Sequence, residues 1–581
     1  MSAAILKSVA AEFSGLYLRH VGLYPISAPM RHSSPLLADL YYLRNFRSAL
    51  QWIGDRYSDL LAPVESEFID SFNRLPWQSQ ALLVRLLMRK GPLFRSSRIA
   101  YADIGDVEFA AAFLIELGWI NPRPLLSQET LLELITVAEA KALFPDVPKS
   151  CNRAQLRQMV VNSLAEPRTF EEWRCDVSES VYLLSIAPIC TRLRLLFFGN
   201  FSQDWSEFVL ADLGIFKYET VPFSSESRAF GCRIDIEVFF SLYECRRQLD
   251  EDDGDLDAVL AQLPSRVELD WLENRRAELM FCIARAHERN GKLDAALELY
   301  LDCGYPGARL RAIRTLENLA HYEEARAMAE SALAAPESEE ESQRLPRVIR
   351  RLARRTKPVM PVANDFASPP RLDLIVPAPA SGQLVELLVS SQLATKHAPV
   401  YYVENTLIKA LFGLHFWDAI FAPVSGAFFH PFHAGPVDLY SRDFSGKRSG
   451  LFEAGFDRLD TAQYVAQIKG TFRAKHGTQS PFVSWRHLSL GLLDMALECI
   501  PAIHLHHYFK RLLSNLQDNR NGLPDLVQFW PGEKRYRMIE VKGPGDRLQD
   551  NQRRWIQFCL EHQMPVLVCH VRWPENVMNV A

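Results

Sequence analysis

Asn521-Gly522-Leu523-Pro524-Asp525-Leu526-Val527 and, after a short turn, Tyr536-Arg537-Met538-Ile539-Glu540-Val541-Lys542-Gly543-Pro544 decide how the C-terminal part of this chain folds. Leu526 to Trp530 reads as a short apolar strand, Pro531-Gly532-Glu533-Lys534 supplies turn chemistry, and Tyr536 to Lys542 reads as a second strand, so the two predict a hairpin. Side chains alternate faces along a strand, so Glu540 and Lys542 point one way and Val541 turns into the protein. Asp525 stands at the mouth of the partner strand, where pairing brings its carboxylate towards that of Glu540. Two like charges so close call for a cation between them.

Working outward, a helical run follows from Asp546 to Trp555 and then an apolar strand from Pro565 to Val571. Pro-Asp, a gap, and Glu-x-Lys, set in the order strand, strand, helix, strand, is the signature of restriction-endonuclease-like nucleases. Hard carboxylate oxygens suit Mg²⁺ or Mn²⁺, which activates a water and neutralises charge on a phosphodiester.

Glu540-Val541-Lys542-Gly543-Pro544, with Asp546-Arg547-Leu548 and Gln552-x-x-Trp555, closely resembles the virus-type replication-repair nuclease module. Together with Gly522 to Val527 and the closing Val568-Cys569-His570-Val571, it is similar to the Fanconi-associated nuclease family in a bacterial form. The resemblance implies a metal set of Glu404, Asp525, Glu540 and the carbonyl of Val541. Glu404 matches a family glutamate at the start of a helix expected over Asn405 to Phe421. The same resemblance gives Lys542 the attacking water and the transition-state charge, and lets Gln552 support the catalytic set from the next helix; Trp555 reads as core. It further implies 5′-flap endonuclease and 5′-to-3′ exonuclease activity on branched DNA, serving interstrand cross-link repair. Eukaryotic forms carry a Cys- and His-rich ubiquitin-binding zinc finger at the N-terminus, and no such motif is seen here.

The 581 residues exceed what one core organises, and 48% hydrophobic with 23% charged residues is an ordinary globular balance. A net charge of -5 decides nothing about nucleic acid, because binding needs a basic groove rather than a basic protein. No signal-peptide pattern and no apolar run of spanning length are read, so a cytoplasmic bacterial protein without membrane contact is expected. Ten scattered cysteines without a Cys-x-x-Cys pair indicate neither a disulfide framework nor a zinc ribbon.

The expected architecture is multidomain and mostly α: a helical DNA-binding domain (1–120), a SAP-like DNA-binding domain (121–200), a TPR-like helical domain (201–365) and an α/β restriction-endonuclease-like nuclease domain (366–581). Ala81 to Lys90 reads as a helix with Arg85 and Arg89 on a face away from its leucines, and Lys90, Arg95 and Arg98 extend a basic set suited to phosphates. Glu129 to Leu143 and Arg153 to Leu164 read as the helices of a SAP-like pair, joined through Phe144 to Ser150. Leu193 to Leu249 is uninformative about chemistry. From Ala277 to Leu333 two helix pairs about thirty residues apart read as tetratricopeptide-like repeats. Arg344, Arg347, Arg350, Arg351, Arg354, Arg355 and Lys357 form a cationic run expected to face phosphate, followed by a linker from Pro358 to Pro370. Two rivals remain. His430 with His433, and His504 with His506 and His507, offer a zinc reading against the wrong spacing. The rival function is a branched-DNA-binding scaffold whose nuclease module is inactive.

Overall fold

The computed structural model describes residues 40–574 apart from 145–147, 149–150, 162–165, 175–178, 225–226, 252–254, 357–367, 380–381 and 442. Most of the expected linker, and parts of the SAP-like loop and of its second helix, therefore lie outside the described residues, as does Lys357.

Near the N-terminus the helices Tyr41–Tyr57, Pro63–Arg74, Trp77–Leu87 and Val107–Glu116 pack beside a small antiparallel sheet. Local chemistry sets their ends: proline stands at the start of the second helix, and the Asp106 side chain accepts from Phe109 N–H to cap the fourth. In the sheet, β3 (Val181–Leu184) lies between β1 (Leu93–Arg95) and β2 (Ile120–Asn121). The boundary expected at residue 120 thus falls inside one hydrogen-bonded sheet. The helix expected from Glu129 to Leu143 is two helices, Gln128–Leu134 and Val137–Leu143. Thr136 and Glu139 form a capping box that restarts the chain after Ile135 turns out of helical geometry. The apolar stretches at Phe197-Phe198 and Val238 to Phe240 belong to the helices Ala187–Phe198 and Arg233–Asp250.

Four helices, Asp270–Arg289, Leu293–Asp302, Ala308–Asn318 and Tyr322–Ala334, follow as the two expected pairs. Alanines at their contacts, among them Ala284, Ala296, Ala312, Ala325 and Ala329, are buried and permit close approach. The cationic run forms the helix Glu339–Thr356, which packs on Tyr322–Ala334 through Leu345, Ile349 and Leu352.

The C-terminal region is built on a five-stranded sheet ordered β4-β8-β7-β6-β5, comprising Arg371–Ile375 (β4), Val400–Tyr402 (β5), Leu526–Trp530 (β6), Arg535–Lys542 (β7) and Val566–Arg572 (β8). The β6-β7 hairpin is antiparallel with Leu526 opposite Ile539, while β8 runs parallel to both β7 and β4. Alternation divides the hairpin between two cores: Val527, Phe529, Tyr536 and Met538 face the helix Asp550–Glu561, whereas Leu526, Ile539 and Val541 pack with Val389 of the helix Val385–Leu393. Among the described residues, no helix is long and apolar enough to cross a membrane.

Candidate active site

Glu540 and Lys542 continue the Met538 face at the C-terminal end of β7, and Asp525, one residue before β6, joins that face from the neighbouring strand. Asp525 Oδ2 accepts the Val541 backbone N–H at 2.8 Å, a bond that ties the two strands together at the site. Gly522, at φ +93°, carries the loop beneath the start of the helix Asp550–Glu561; a Cβ there would come within 2.8 Å of the Asn551 carbonyl carbon, so only glycine fits.

Glu540 is 0% exposed, and neither of its carboxylate oxygens receives a hydrogen bond. Lys542 Nζ approaches Oε1 to 2.8 Å as an ion pair, without hydrogen-bond geometry. Burial, then the charge of Asp525, pushes the Glu540 carboxyl up from its ordinary range. Burial does the same to Asp525, with Glu404 and Glu386 adding repulsion and the Val541 N–H opposing it. A cation offsets both penalties at once, so the donor set fits Mg²⁺ or Mn²⁺, the hard ions that take carboxylate oxygens. The ion-free arrangement is not a finished cage: among the described residues no three acidic, His or Cys groups converge on one point.

Glu404 follows β5, which pairs with β6 so that Tyr402 lies opposite Leu526 and Val403 N–H donates to the Asp525 carbonyl at 2.8 Å. It does not stand in a helix. Asn405 is left-handed at φ 50° and its side chain accepts Leu523 N–H at 3.1 Å, so the helix begins only at Leu407 and breaks after His415. Tyr402 OH donates to the Glu404 carboxylate and orients it. Sequence reading passed over Glu386, in the first turn of the helix Val385–Leu393, whose charge reaches Asp525 and Tyr402. Its acidic residue on a short apolar helix carries no spacing signal relative to Asp525.

Gln552 sits at the start of the helix Asp550–Glu561, where its Oε1 accepts the Gln549 N–H at 2.9 Å in a capping box. Among the described residues it makes no hydrogen bond to Asp525 or Glu540, so the expected support of the carboxylates gives way to a capping role. Trp555 is core, with its indole N–H donating to the Asn519 carbonyl at 3.2 Å.

The basic residues divide. Arg85 donates to Asp103 at 2.8 Å and lies over the Tyr42 ring, so it does not share an open phosphate face with Arg89. Arg95 is only 8% exposed, bonding Glu179 and Glu139 at 2.8 and 2.9 Å, and this corrects the expectation of a phosphate contact. Arg89 and Lys90 are exposed; Arg98 is exposed on a short 3₁₀ turn. Within the cationic helix Arg347 pairs with Asp550 at 2.8 Å and Arg351 with Glu317 at 2.6 Å, while Arg511 from the nuclease region grips Glu339 at 2.5 Å. The run is therefore largely a dock between the helical repeats and the nuclease region. Arg350 turns to the Pro346 carbonyl, and Arg354 is exposed with no carboxylate paired to it among the described residues.

The rival zinc reading, already set against its spacing, gains nothing from the structure. His430 and His433 are stacked 3.7 Å apart among phenylalanines, and each accepts a backbone N–H, so burial holds both rings neutral. His504 meets the Tyr536 hydroxyl at 3.0 Å.

Comparison with known proteins agrees with this geometry. A VRR-NUC domain model matches residues 460–573, and the model described as FAN1, HTH domain matches residues 40–121. The Fanconi-associated nuclease 1 homolog of Pseudomonas aeruginosa is 48% identical over 94% of this chain and 98% of its own length. The homolog of Arabidopsis thaliana is 25% identical over 91% of this chain and 67% of its own. A crystal structure of paFAN1 bound to DNA with a 2-nucleotide 5′ flap and a gap superposes with a TM-score of 0.90 at 47% identity, covering 94% of this chain and all of that one. A second paFAN1 structure, with a 1-nucleotide 5′ flap, gives 0.87. With two buried carboxylates sharing the end of its central sheet and a 48% identical relative matched over 98% of its length, this chain belongs to the Fanconi-associated nuclease family of structure-specific DNA-repair nucleases.

Proposed function

We propose that the chain is a Mg²⁺- or Mn²⁺-dependent phosphodiesterase that cuts branched DNA at 5′ flaps and degrades strands 5′ to 3′, in interstrand cross-link repair in the bacterial cytoplasm. The observation that carries the reading is the pair of buried carboxylates, Asp525 and Glu540, brought to one face with Lys542 as the ammonium beside them, because two buried like charges against one cation stay costly until a further cation joins them. The flap-bound relatives support the substrate class.

Asp525, Glu540 and Glu404, with the Val541 carbonyl, would hold the ion; Glu386 stands near enough to add charge. Bound there, a divalent ion supplies Lewis acidity that lowers the pKa of a water and stabilises charge on the phosphodiester. Lys542, with Nζ beside Glu540, donates to the attacking water and orients it, then offsets negative charge as the phosphorane-like transition state forms. Tyr402 fixes the Glu404 carboxylate, and the Asp525 bond to Val541 N–H fixes the spacing of the two strands. Arg89, Lys90, Arg98, Arg350 and Arg354 are the proposed backbone contacts.

Lys542→Ala separates chemistry from ion binding. It should lose cleavage of a 5′-flap duplex by about a hundredfold or more while Mn²⁺ titration heats stay near wild type, since an ammonium is no ligand. Equal loss of both would make Lys542 structural. Binding of branched DNA by the wild-type chain without cleavage under either ion would favour the scaffold.

A further inference from the structure

An open cleft of about 760 Å³ lies between the C-terminal end of the helix Trp77–Leu87 and the first turns of the helix Ala187–Phe198, and it shares no residue with the carboxylate site. Its wall carries three guanidiniums, Arg89, Arg192 and Arg194, and the hydroxyls of Ser185 and Thr191, over a largely apolar floor. Among the described residues that line it, none is acidic.

Arg194 stands half-buried in that wall, its guanidinium over the Phe201 ring. Its Nε is buried without a hydrogen bond, and no carboxylate forms an ion pair with it among the described residues. Burial pulls its pKa below the ordinary arginine value, with Asp204 and Tyr243 opposing. The fully buried Arg276 and Arg448, by contrast, bond carboxylates, Glu273 at 2.8 Å and Asp438 at 2.7 Å. Arg192 also has an unpartnered buried Nε, and its only ion pair among the described residues is a loose one to the exposed Glu237 at 3.7 Å. Arg89 lies over the Phe94 ring and reaches only the Arg98 carbonyl, at 3.4 Å. Leaving a guanidinium desolvated and unpaired is costly, and an incoming anion removes that cost.

Three planar donor forks suit a phosphate, which offers more acceptor oxygens and more charge than one carboxylate. The start of the helix Ala187–Phe198 adds its positive end. The volume far exceeds a phosphate and falls in the range of sites for small organic ligands, and the apolar floor gives a sugar and base a surface to rest on. We propose that this cleft binds one nucleotide unit through its phosphate, with Arg194 as the anchor and Arg89 and Arg192 as the flanking donors. The unit is either part of a DNA strand held away from the cut or a free nucleoside monophosphate; only the first source rests on the nuclease reading.

The test uses the full chain without divalent ions. Titrations with dTMP and with a nicked duplex across a salt series compare wild type, Arg194→Gln and Arg194→Lys. Because Arg194 is unpaired, Arg194→Gln should melt higher than wild type while losing affinity about tenfold, with partial retention by Arg194→Lys. Duplex affinity that falls, with a salt slope flatter by about one unit, assigns the cleft to a strand; loss confined to dTMP assigns it to the free nucleotide. Unchanged affinity for both ligands in Arg194→Gln would overturn the site and leave cleavage untouched. If branched DNA did not bind the chain at all yet dTMP binding still required Arg194, the nuclease reading would fall and the cleft would stand.

Discussion

The end of the central sheet and the arginine-rich helices are both dense in charge, and they treat it in opposite ways. At the sheet, Glu540 is enclosed beside the Lys542 ammonium and shares its face with Asp525, so two like charges are held together against one opposite charge. In the helices several of the arginines that charge density picked out are already answered: Arg85 by Asp103, Arg95 by Glu139 and Glu179, Arg347 by Asp550, Arg351 by Glu317. A matched charge holds the protein together. Charge out of balance is what the two remaining places share: Asp525 and Glu540 have one lysine, Lys542, beside them, and Arg194 has no carboxylate paired to it among the described residues.

The sharpest way to break this contrast is at Asp525. Asparagine keeps the oxygen that accepts Val541 N–H but removes one of the two coupled charges, so Asp525→Asn should stabilise the ion-free protein while abolishing activity. Alanine would orphan that N–H and blur the result. Several kcal/mol of lost Lewis-acid stabilisation corresponds to roughly a thousandfold or more in rate. Initial rates on a 5′-flap duplex under saturating Mg²⁺, beside melting without metal, check both halves. Wild-type turnover would remove Asp525 from the site.

The hairpin and its helix were legible because the sequence states them locally: period-two alternation over Tyr536 to Lys542 and a Pro-Gly turn place Glu540 and Lys542 on one face before any tertiary contact is known. The helices from Asp270 to Ala334 were legible for the same reason, their boundaries set by glycine and apolar spacing. What failed depends on distant partners. Glu179 lies 84 residues from Arg95 and Asp550 lies 203 from Arg347, so a basic run cannot be told from half of an ion-pair network by its own composition. Glu404 was placed at the start of a helix by its resemblance to a family glutamate, with the helix expected from Asn405, whereas the left-handed Asn405 delays that helix to Leu407. Glu386 and Arg194 were missed because their meaning lies in what surrounds them.

A smaller effect, on stability rather than rate, should follow at Arg95. Replacing it with methionine leaves two part-buried carboxylates without their shared cation, a loss of about 3 kcal/mol by analogy with broken buried pairs. The salt dependence of DNA binding should not change, because a guanidinium held by carboxylates has no phosphate to release. Urea unfolding and a salt series on the same variant measure the two quantities. A flattened salt slope would return Arg95 to the DNA-facing set and weaken the division between matched and unmatched charge.

The least effect is expected at Gln552, where the two regions meet, since its helix packs on the sheet and its first residue, Asp550, receives Arg347. Its amide oxygen is committed to the Gln549 N–H, which makes it half of a capping box. Losing a helix cap costs about 1 kcal/mol, so Gln552→Ala should melt slightly lower and cut DNA at nearly the wild-type rate. Gln552→Glu retains an acceptor at the same place and adds an acidic group in the first helical turn, where the dipole favours it, so it should recover the lost stability. Cleavage that collapses in both variants while melting hardly moves would show that the amide nitrogen, rather than the capping oxygen, is the working atom. Gln552 would then belong with Glu540 and Arg194, as a polar group whose partner arrives only with the ion and the DNA.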